Sequence, residues 1–216
     1  MHIRSGRASL NAGVAGTYAM RPILFLHAAV ADSRMWLKSM AQLKGADTPI
    51  AYDRRGFGST RYEPEDYSSI VDLYRVLDSV SPDKRAVLVG CSQGGRIALD
   101  AALEHPGRVA GLILIAPNVP GAPELDHSRE TQSLLATQDE LRERGDIGRL
   151  NSFKARLWLD GPLANEGRVL GEPRDLLLEM NSNILGAPNA GTDLDTSRLV
   201  PALQRLGQIE VPTMII

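Results

Sequence analysis

Gly90-Cys91-Ser92-Gln93-Gly94 stands between two runs of different character. Before it, Ala86-Val87-Leu88-Val89 is short, apolar and half β-branched, which reads as a buried parallel strand. After it, Gly95 to Leu103 is rich in Ala and Leu and reads as a helix. A G-x-S-x-G pentapeptide between a strand and a helix has the form of a nucleophile elbow. Its serine sits on a sharp turn with the hydroxyl exposed. Side chains two residues away on either side would collide, and Gly90 and Gly94 remove that collision. Cys91, between strand and elbow, reads as a buried, inert thiol rather than a reactive one.

Outward from the pentapeptide the pattern alternates. Pro22-Ile23-Leu24-Phe25-Leu26 is a buried strand, and residues 7–16 partly alternate as an edge strand would. Asp32 caps a helix carrying Met35, Trp36, Met40 and Leu43. Pro49-Ile50-Ala51-Tyr52 is a strand ended by Asp53 to Gly58, and a helix is predicted over 67–80. The elbow strand and helix follow, then the strand Val109 to Ala116. Strand and helix in alternation predict an α/β fold, a mostly parallel sheet with helices on both faces. Past Pro117 the pattern turns helical, with candidates at 134–141, 150–159 and 176–185 separated by Gly-Pro punctuation. Strand character returns at Val211-Pro212-Thr213-Met214-Ile215-Ile216. The expected organisation is a core over 1–117, a helical cap over 118–207 and the start of a further core strand over 208–216.

Bulk properties narrow the classes. The chain has 216 residues, enough for one core with an insertion. A formal net charge of −2 gives no reason to expect nucleic acid or an anionic membrane as partner. A single cysteine rules out an internal disulfide and fits a reducing, cytoplasmic setting. No apolar run approaches the ~20 residues of a membrane helix. No motif calls for a metal or a cofactor.

Three motifs in order give the chain its resemblance to the α/β-hydrolase superfamily. Leu24-Phe25-Leu26-His27-Ala28-Ala29 resembles the strand-end segment that normally reads His-Gly and supplies an oxyanion-hole amide. Tyr52-Asp53-Arg54-Arg55-Gly56-Phe57-Gly58-Ser59 matches the family's D-x-R-G-x-G-x-S turn. Gly90 to Gly94 is the elbow. The stretch His27 to Trp36 is similar to small bacterial esterase and enol-lactonase-like members. The resemblance implies a helical cap insertion and a serine hydrolase acting on a small-molecule carboxylic ester or lactone. Ser92 would be the nucleophile, and the amides of Gln93 and Ala29 (or Ala28, if the loop is displaced) would receive the oxyanion. His27 and Asp53 are expected to order the loops beside it.

Two departures stand out. Ala28 occupies a place where glycine is usual, and alanine resists positive φ. In the family the triad acid and histidine follow the elbow along the chain, after the seventh and eighth core strands. The histidines here are His2, His27, His105 and His127, all before the seventh strand. His2 lies near a frayed end, and roughly 15 Å or more of helix separates His105 from Ser92. Asn118, at an alternative acid position, is no carboxylate. No triad acid or histidine is therefore assigned in this chain. It is expected to lack the last strand and helices, about 50–70 residues by the size of a βαβ unit, and to be nearly inert alone. Two other readings stay open: a non-catalytic small-molecule-binding protein, and a carbon–carbon hydrolase or cofactor-free peroxidase. Phe153, Leu157, Trp158, Leu177 and Met180 either line a cap pocket or pack the cap.

Overall fold

Alternate residues of Arg21–Leu26 (β3) enter two different cores. Leu24 and Leu26 pack with Ile50, Tyr52, Leu88, Leu112 and Leu114, whereas Ile23 and Phe25 pack with Trp36, Met40, Ala51 and Val89. A strand buried on both faces needs layers on both faces, which is why its sequence reads as a continuous apolar run. The computed structural model describes residues 1–15, 21–43, 45, 47–197 and 199–216.

The strands are His2–Ser5 (β1), Ala8–Val14 (β2), β3, Asp47–Tyr52 (β4), Arg61–Tyr62 (β5), Ala86–Cys91 (β6), Val109–Ile115 (β7) and Thr213–Ile215 (β8). They form one sheet in the order β1-β2-β4-β3-β6-β7-β8, with β5 paired to β2. From β4 to β8 every neighbouring pair is parallel, and β2 runs antiparallel to β1, β4 and β5. One helical layer consists of Ser69–Val80 (α2), capped by the Ser68 hydroxyl, and Gln93–Glu104 (α3). Their Ile70, Leu73, Leu77, Ile97 and Ala101 close the larger core. The opposite face is covered by a 3-10 turn over Ser33–Trp36 that runs into Leu37–Gln42 (α1). Asp32 caps the turn by accepting from Arg34 N, and the Trp36 ring lies 5.2 Å from that of Phe25.

Two sequence expectations change. The strand within residues 7–16 is interior, because β1 takes the edge beside it through a tight turn at Gly6, φ +52°. His2 is accordingly part of a strand rather than a frayed end, and the Met1 amine donates to Ala12 O at 2.7 Å.

By packing, the chain divides into Met1–Ala122 with Pro188–Ile216, and Pro123–Ala187. The second unit is helical: Arg129–Glu143 (α4), Ile147–Ala155 (α5) continuing as a π-helical turn over Arg156–Asp160, and Glu172–Leu185 (α6). It is narrower than 118–207 because 118–122, 188–197 and 199–207 belong to the first unit. Glu65 N and Tyr67 N donate to Ala190 O and Thr192 O, and Asp193 and Asp195 accept from Ser69 and Ser68 at the start of α2. Arg205 pairs with Glu104. Among the described residues no helix is long and apolar enough to cross a membrane.

Candidate active site

Ser92 ends β6 and begins α3 at φ +51°, ψ −114°, a conformation that side-chain-bearing residues rarely adopt. The flanking glycines make it possible. A β-carbon on Gly90 would lie 2.4 Å from Gly94 O, and one on Gly94 would lie 2.3 Å from Leu26 O and 2.7 Å from His27 O. One on Gly95 would meet Pro117 at 2.9 Å. Strand, helix and the end of β3 thus touch backbone to backbone around the serine.

The end of β7 holds the turn from the other side. Ser92 N donates to Ile115 O at 2.9 Å, and Asn118 N donates to Ser92 O at 3.2 Å. Between these two bonds Ala116 has φ +41°. Asn118 therefore serves the elbow through its backbone. Ser92 is half-buried, and among the described residues no side chain hydrogen-bonds its Oγ. Gln93 N is the first amide of α3 and has no intrahelical acceptor. Neither it nor Ala29 N has a backbone partner among the described residues. Ala29 is exposed.

The loop after β3 is organised by His27. Its ring is wholly buried. Nε2 accepts from Arg54 N at 3.2 Å, which assigns the proton to Nδ1, and Nδ1–H donates to Ala28 O at 2.9 Å. Burial first, and the Arg54 charge second, hold the imidazole well below its usual pKa. Both ring nitrogens are thus spent on the loop. Arg54 also donates from Nη2 to His27 O and Ala28 O and stacks 4.5 Å over Phe57. Burial lowers its guanidinium to about 10. Ala28 does not have positive φ, so the alanine is accommodated without strain at that residue.

Asp53 ends β4 and ties its turn together. Its carboxylate accepts from Asn11 Nδ2, Ser33 N and Ser59 N, each at 2.9 Å. Gly58 is required there, since a β-carbon would lie 2.3 Å from the Asp53 carboxyl carbon. The hydroxyl that closes the turn belongs to Thr60, not Ser59. Thr60 Oγ1 donates to Asp53 O at 2.5 Å and accepts from Asn11 N at 2.9 Å. Arg55 forks onto Asp72 at 2.8 and 3.1 Å and reaches Glu65.

The other titratable candidates lie apart from this arrangement. His105 caps the far end of α3, roughly 18 Å from Ser92 by helical rise, with its ring edge-on to Tyr74. His2 lies on the edge strand and His127 in the helical unit. Cys91 is half-buried, and burial pushes its thiol pKa up. Among the described residues no group of three or more His, Cys, Asp or Glu is placed to hold a metal ion. Sequence reasoning missed Arg54, Thr60, Ala116 and the Asp193 link, in which Arg96 of α3 pairs with Asp193 at 3.1 Å. Only the Arg54-Arg55 doublet had a local signal.

The chain belongs to the alpha/beta hydrolase family, whose model matches residues 23–215. It is 30% identical over 146 residues to monoacylglycerol lipase abhd6-A of Xenopus laevis, covering 61% of this chain and 43% of that protein. It is 34% identical over 116 residues to 2-(acetamidomethylene)succinate hydrolase of Mesorhizobium japonicum, covering 51% and 40%. The matches thus span less than half the length of these two curated relatives. Among solved structures, the esterase EaEST of Exiguobacterium antarcticum superposes with a TM-score of 0.72 at 21% identity, covering 99% of this chain and 79% of that one. That likeness concerns the fold.

Proposed function

We propose that this chain carries the nucleophile and oxyanion hole of a serine hydrolase that cleaves a small-molecule carboxylic ester or lactone through an acyl-enzyme on Ser92. The observation that carries the reading is Ser92 at φ +51°, with its hydroxyl unengaged and the Gln93 amide free beside it. Ser92 Oγ attacks the carbonyl carbon, and the oxyanion is received by the amides of Gln93 and Ala29. One such donor contributes roughly 3 kcal/mol in the transition state. Gly90 and Gly94 keep the elbow tight, and His27 and Asp53 hold the two loops that frame it. Residues 123–187, between β7 and β8 in the chain, are the proposed cap. The single cysteine supports a cytoplasmic setting.

A serine without a base is an ordinary alcohol, and losing triad members lowers the rate by roughly 10⁴–10⁶. Among the described residues none of the histidines bonds Ser92 Oγ. The 216-residue chain alone is therefore proposed to react weakly. The test is fluorophosphonate labelling of the 216-residue chain and of any longer product of its reading frame, each beside Ser92→Ala. Labelling of the longer product that depends on Ser92, with little on the short chain, supports the reading. Strong Ser92-dependent labelling of the short chain sinks the inertness claim.

The unpartnered Ser92 hydroxyl also favours a second reading, a non-catalytic small-molecule-binding protein. A longer product that binds esters saturably without turnover or labelling would select it. A substrate panel adding a 1,3-diketone and peroxide with halide separates carbon–carbon hydrolase and peroxidase chemistry from esterase chemistry.

A further inference from the structure

On the outer face of the N-terminal hairpin, three strands bring two arginines and a serine into one row. Arg4 of β1 lies directly opposite Ser9 of β2, and Ser9 lies directly opposite Arg61 of β5. Directly opposed residues in antiparallel strands share a face. That face is the solvent face, because Ile3, Ser5, Ala8 and Leu10, the alternating neighbours, are buried while Arg4 and Arg61 are exposed. Strands lie about 4.8 Å apart, so the two arginines leave the sheet roughly 10 Å from one another. Ser9, the residue between them, is short. Long, short and long side chains in succession make a cleft floored by a hydroxyl. Arg7, from the turn, joins the same cavity of about 450 Å³, together with Glu63.

The charge in this cavity is not neutralised from within. Among the described residues none of the guanidinium groups of Arg4, Arg7 and Arg61 forms an ion pair or a hydrogen bond, although the Arg7 backbone amide donates to Glu65 Oε1 at 2.6 Å. Elsewhere Arg55, Arg96, Arg174 and Arg205 all lie within 3.1 Å of a carboxylate. Three guanidinium charges face the carboxylate of Glu63 and that of Glu65, which accepts from Arg7 N and is shared with Arg55, so the cleft keeps a net positive charge over a serine hydroxyl. Guanidinium forks match tetrahedral oxyanions bidentately, better than an ammonium does. In the sheet order, β4 and β3 separate this hairpin from β6 and its elbow.

We propose that the Arg4–Ser9–Arg61 cleft is a binding site for a phosphomonoester dianion, with Arg4 and Arg61 clamping the phosphoryl oxygens, Ser9 Oγ donating from the floor and Arg7 closing the turn side. The site is independent of the chemistry assigned to Ser92.

The experiment is calorimetric titration of the 216-residue chain with inorganic phosphate and with phenyl phosphate, at ionic strength held constant with chloride. One saturable site is expected for both. Affinity should fall at least tenfold in the double variant Arg4→Gln/Arg61→Gln and stay unchanged in Arg75→Gln, an exposed arginine on α2. The double variant Arg4→Lys/Arg61→Lys keeps the charge and removes the forks; it should also bind at least threefold more weakly, and it serves as the readout if the glutamine variant does not fold. Titration without saturation, equal loss in Arg75→Gln, or full affinity in the lysine variant would overturn the proposal. So would binding confined to phosphatidic acid vesicles with none to free phenyl phosphate, because the face would then be a lipid surface.

Discussion

A β-carbon placed on Gly94 would lie 2.3 Å from the carbonyl oxygen of Leu26, so the elbow helix and the end of β3 meet with no room for a side chain between them. Both partners are backbone, one in a helix and one in a strand, and neither can rotate away. Gly94→Ala is expected to cost about 2–3 kcal/mol by overpacking, with each kcal/mol lowering the melting temperature by roughly 2–4 °C. Gly107→Ala is the control, since nothing lies within 4 Å of a β-carbon there. Thermal unfolding of the two variants side by side checks the contact. Equal melting temperatures would contradict it.

Asp53 gathers three donors from three separate places in the chain, Asn11, Ser33 and Ser59. Removing a buried acceptor leaves its donors without water or partner, at about 1–3 kcal/mol per group. Asp53→Ala should therefore lower stability by at least 2 kcal/mol, and Thr60→Val, which deletes the hydroxyl bonded to Asp53 O, by about 1 kcal/mol. Ser59→Ala should change stability by less than about 0.5 kcal/mol, as only the Ser59 amide is used. Denaturant titration resolves the order, and a larger loss in Ser59→Ala than in Thr60→Val would reverse the assignment of the closing hydroxyl.

How much of this was legible beforehand follows from how local each signal is. Gly90 and Gly94 flank Ser92 within five residues, and the steric need for them is short-range, so the elbow could be read directly. The runs Ile23–Leu26 and Val87–Val89 are unbroken by polar residues yet too short for a buried helix, and so reveal burial on both faces of a strand. The place of Ala8–Val14 inside the sheet could not be read, since alternation gives a strand one buried face but no partners. His2–Ser5 is too short and too polar to signal a strand until Gly6 folds it back. The link from Asp193 to Ser69 and Arg96 spans 124 and 97 residues, and no local pattern marks such a pair. Arg54 was hidden beside Arg55, its part being set by His27, which it meets only after folding.

His27 should stay neutral where an ordinary histidine titrates. The unfolded chain takes up a proton below about pH 6.5, and the folded chain resists it because the ring is buried beside Arg54. Stability from this residue is therefore full above pH 6.5 and falls as the pH drops below it. A ¹⁵N–¹H correlation of the imidazole should show the Nδ1–H tautomer unchanged from about pH 7.5 to about pH 5.5. A normal titration midpoint would rule out the buried Arg54–His27 arrangement.

Asp160 offers the opposite sign in the helical unit. Its buried carboxylate accepts from the amides of Val169 and Gly167 and from Arg174, and these bonds lower its pKa to about 2. A depressed carboxylate contributes stability above its unfolded pKa, near 3.8, and loses it as the pH falls toward 2. Asp160→Asn should destabilise the protein at neutral pH, and the gap to the parent should close between about pH 4 and pH 2. Helical circular dichroism on melting at several pH values measures that gap. A gap independent of pH would contradict the assignment.

The backbone at Ser92 makes the most specific demand on the structure. At φ +51° and ψ −114° the residue is in a region where a β-carbon is crowded, and such positions cost on the order of 1–3 kcal/mol. The cost belongs to the β-carbon and not to the hydroxyl. Ser92→Ala should therefore leave stability within about 0.5 kcal/mol of the parent. Ser92→Gly relieves the crowding but adds freedom to the unfolded chain, worth about 0.5–1 kcal/mol against folding. The balance is a gain of roughly 0–2.5 kcal/mol for Ser92→Gly alone. Ala116→Gly, at φ +41° on the neighbouring strand end, should gain in the same way. Urea titration of Ser92→Ala, Ser92→Gly and Ala116→Gly decides it. If Ser92→Gly proves less stable than Ser92→Ala, the elbow does not store the strain its geometry implies, and the case for Ser92 as a nucleophile held by the fold loses its physical basis.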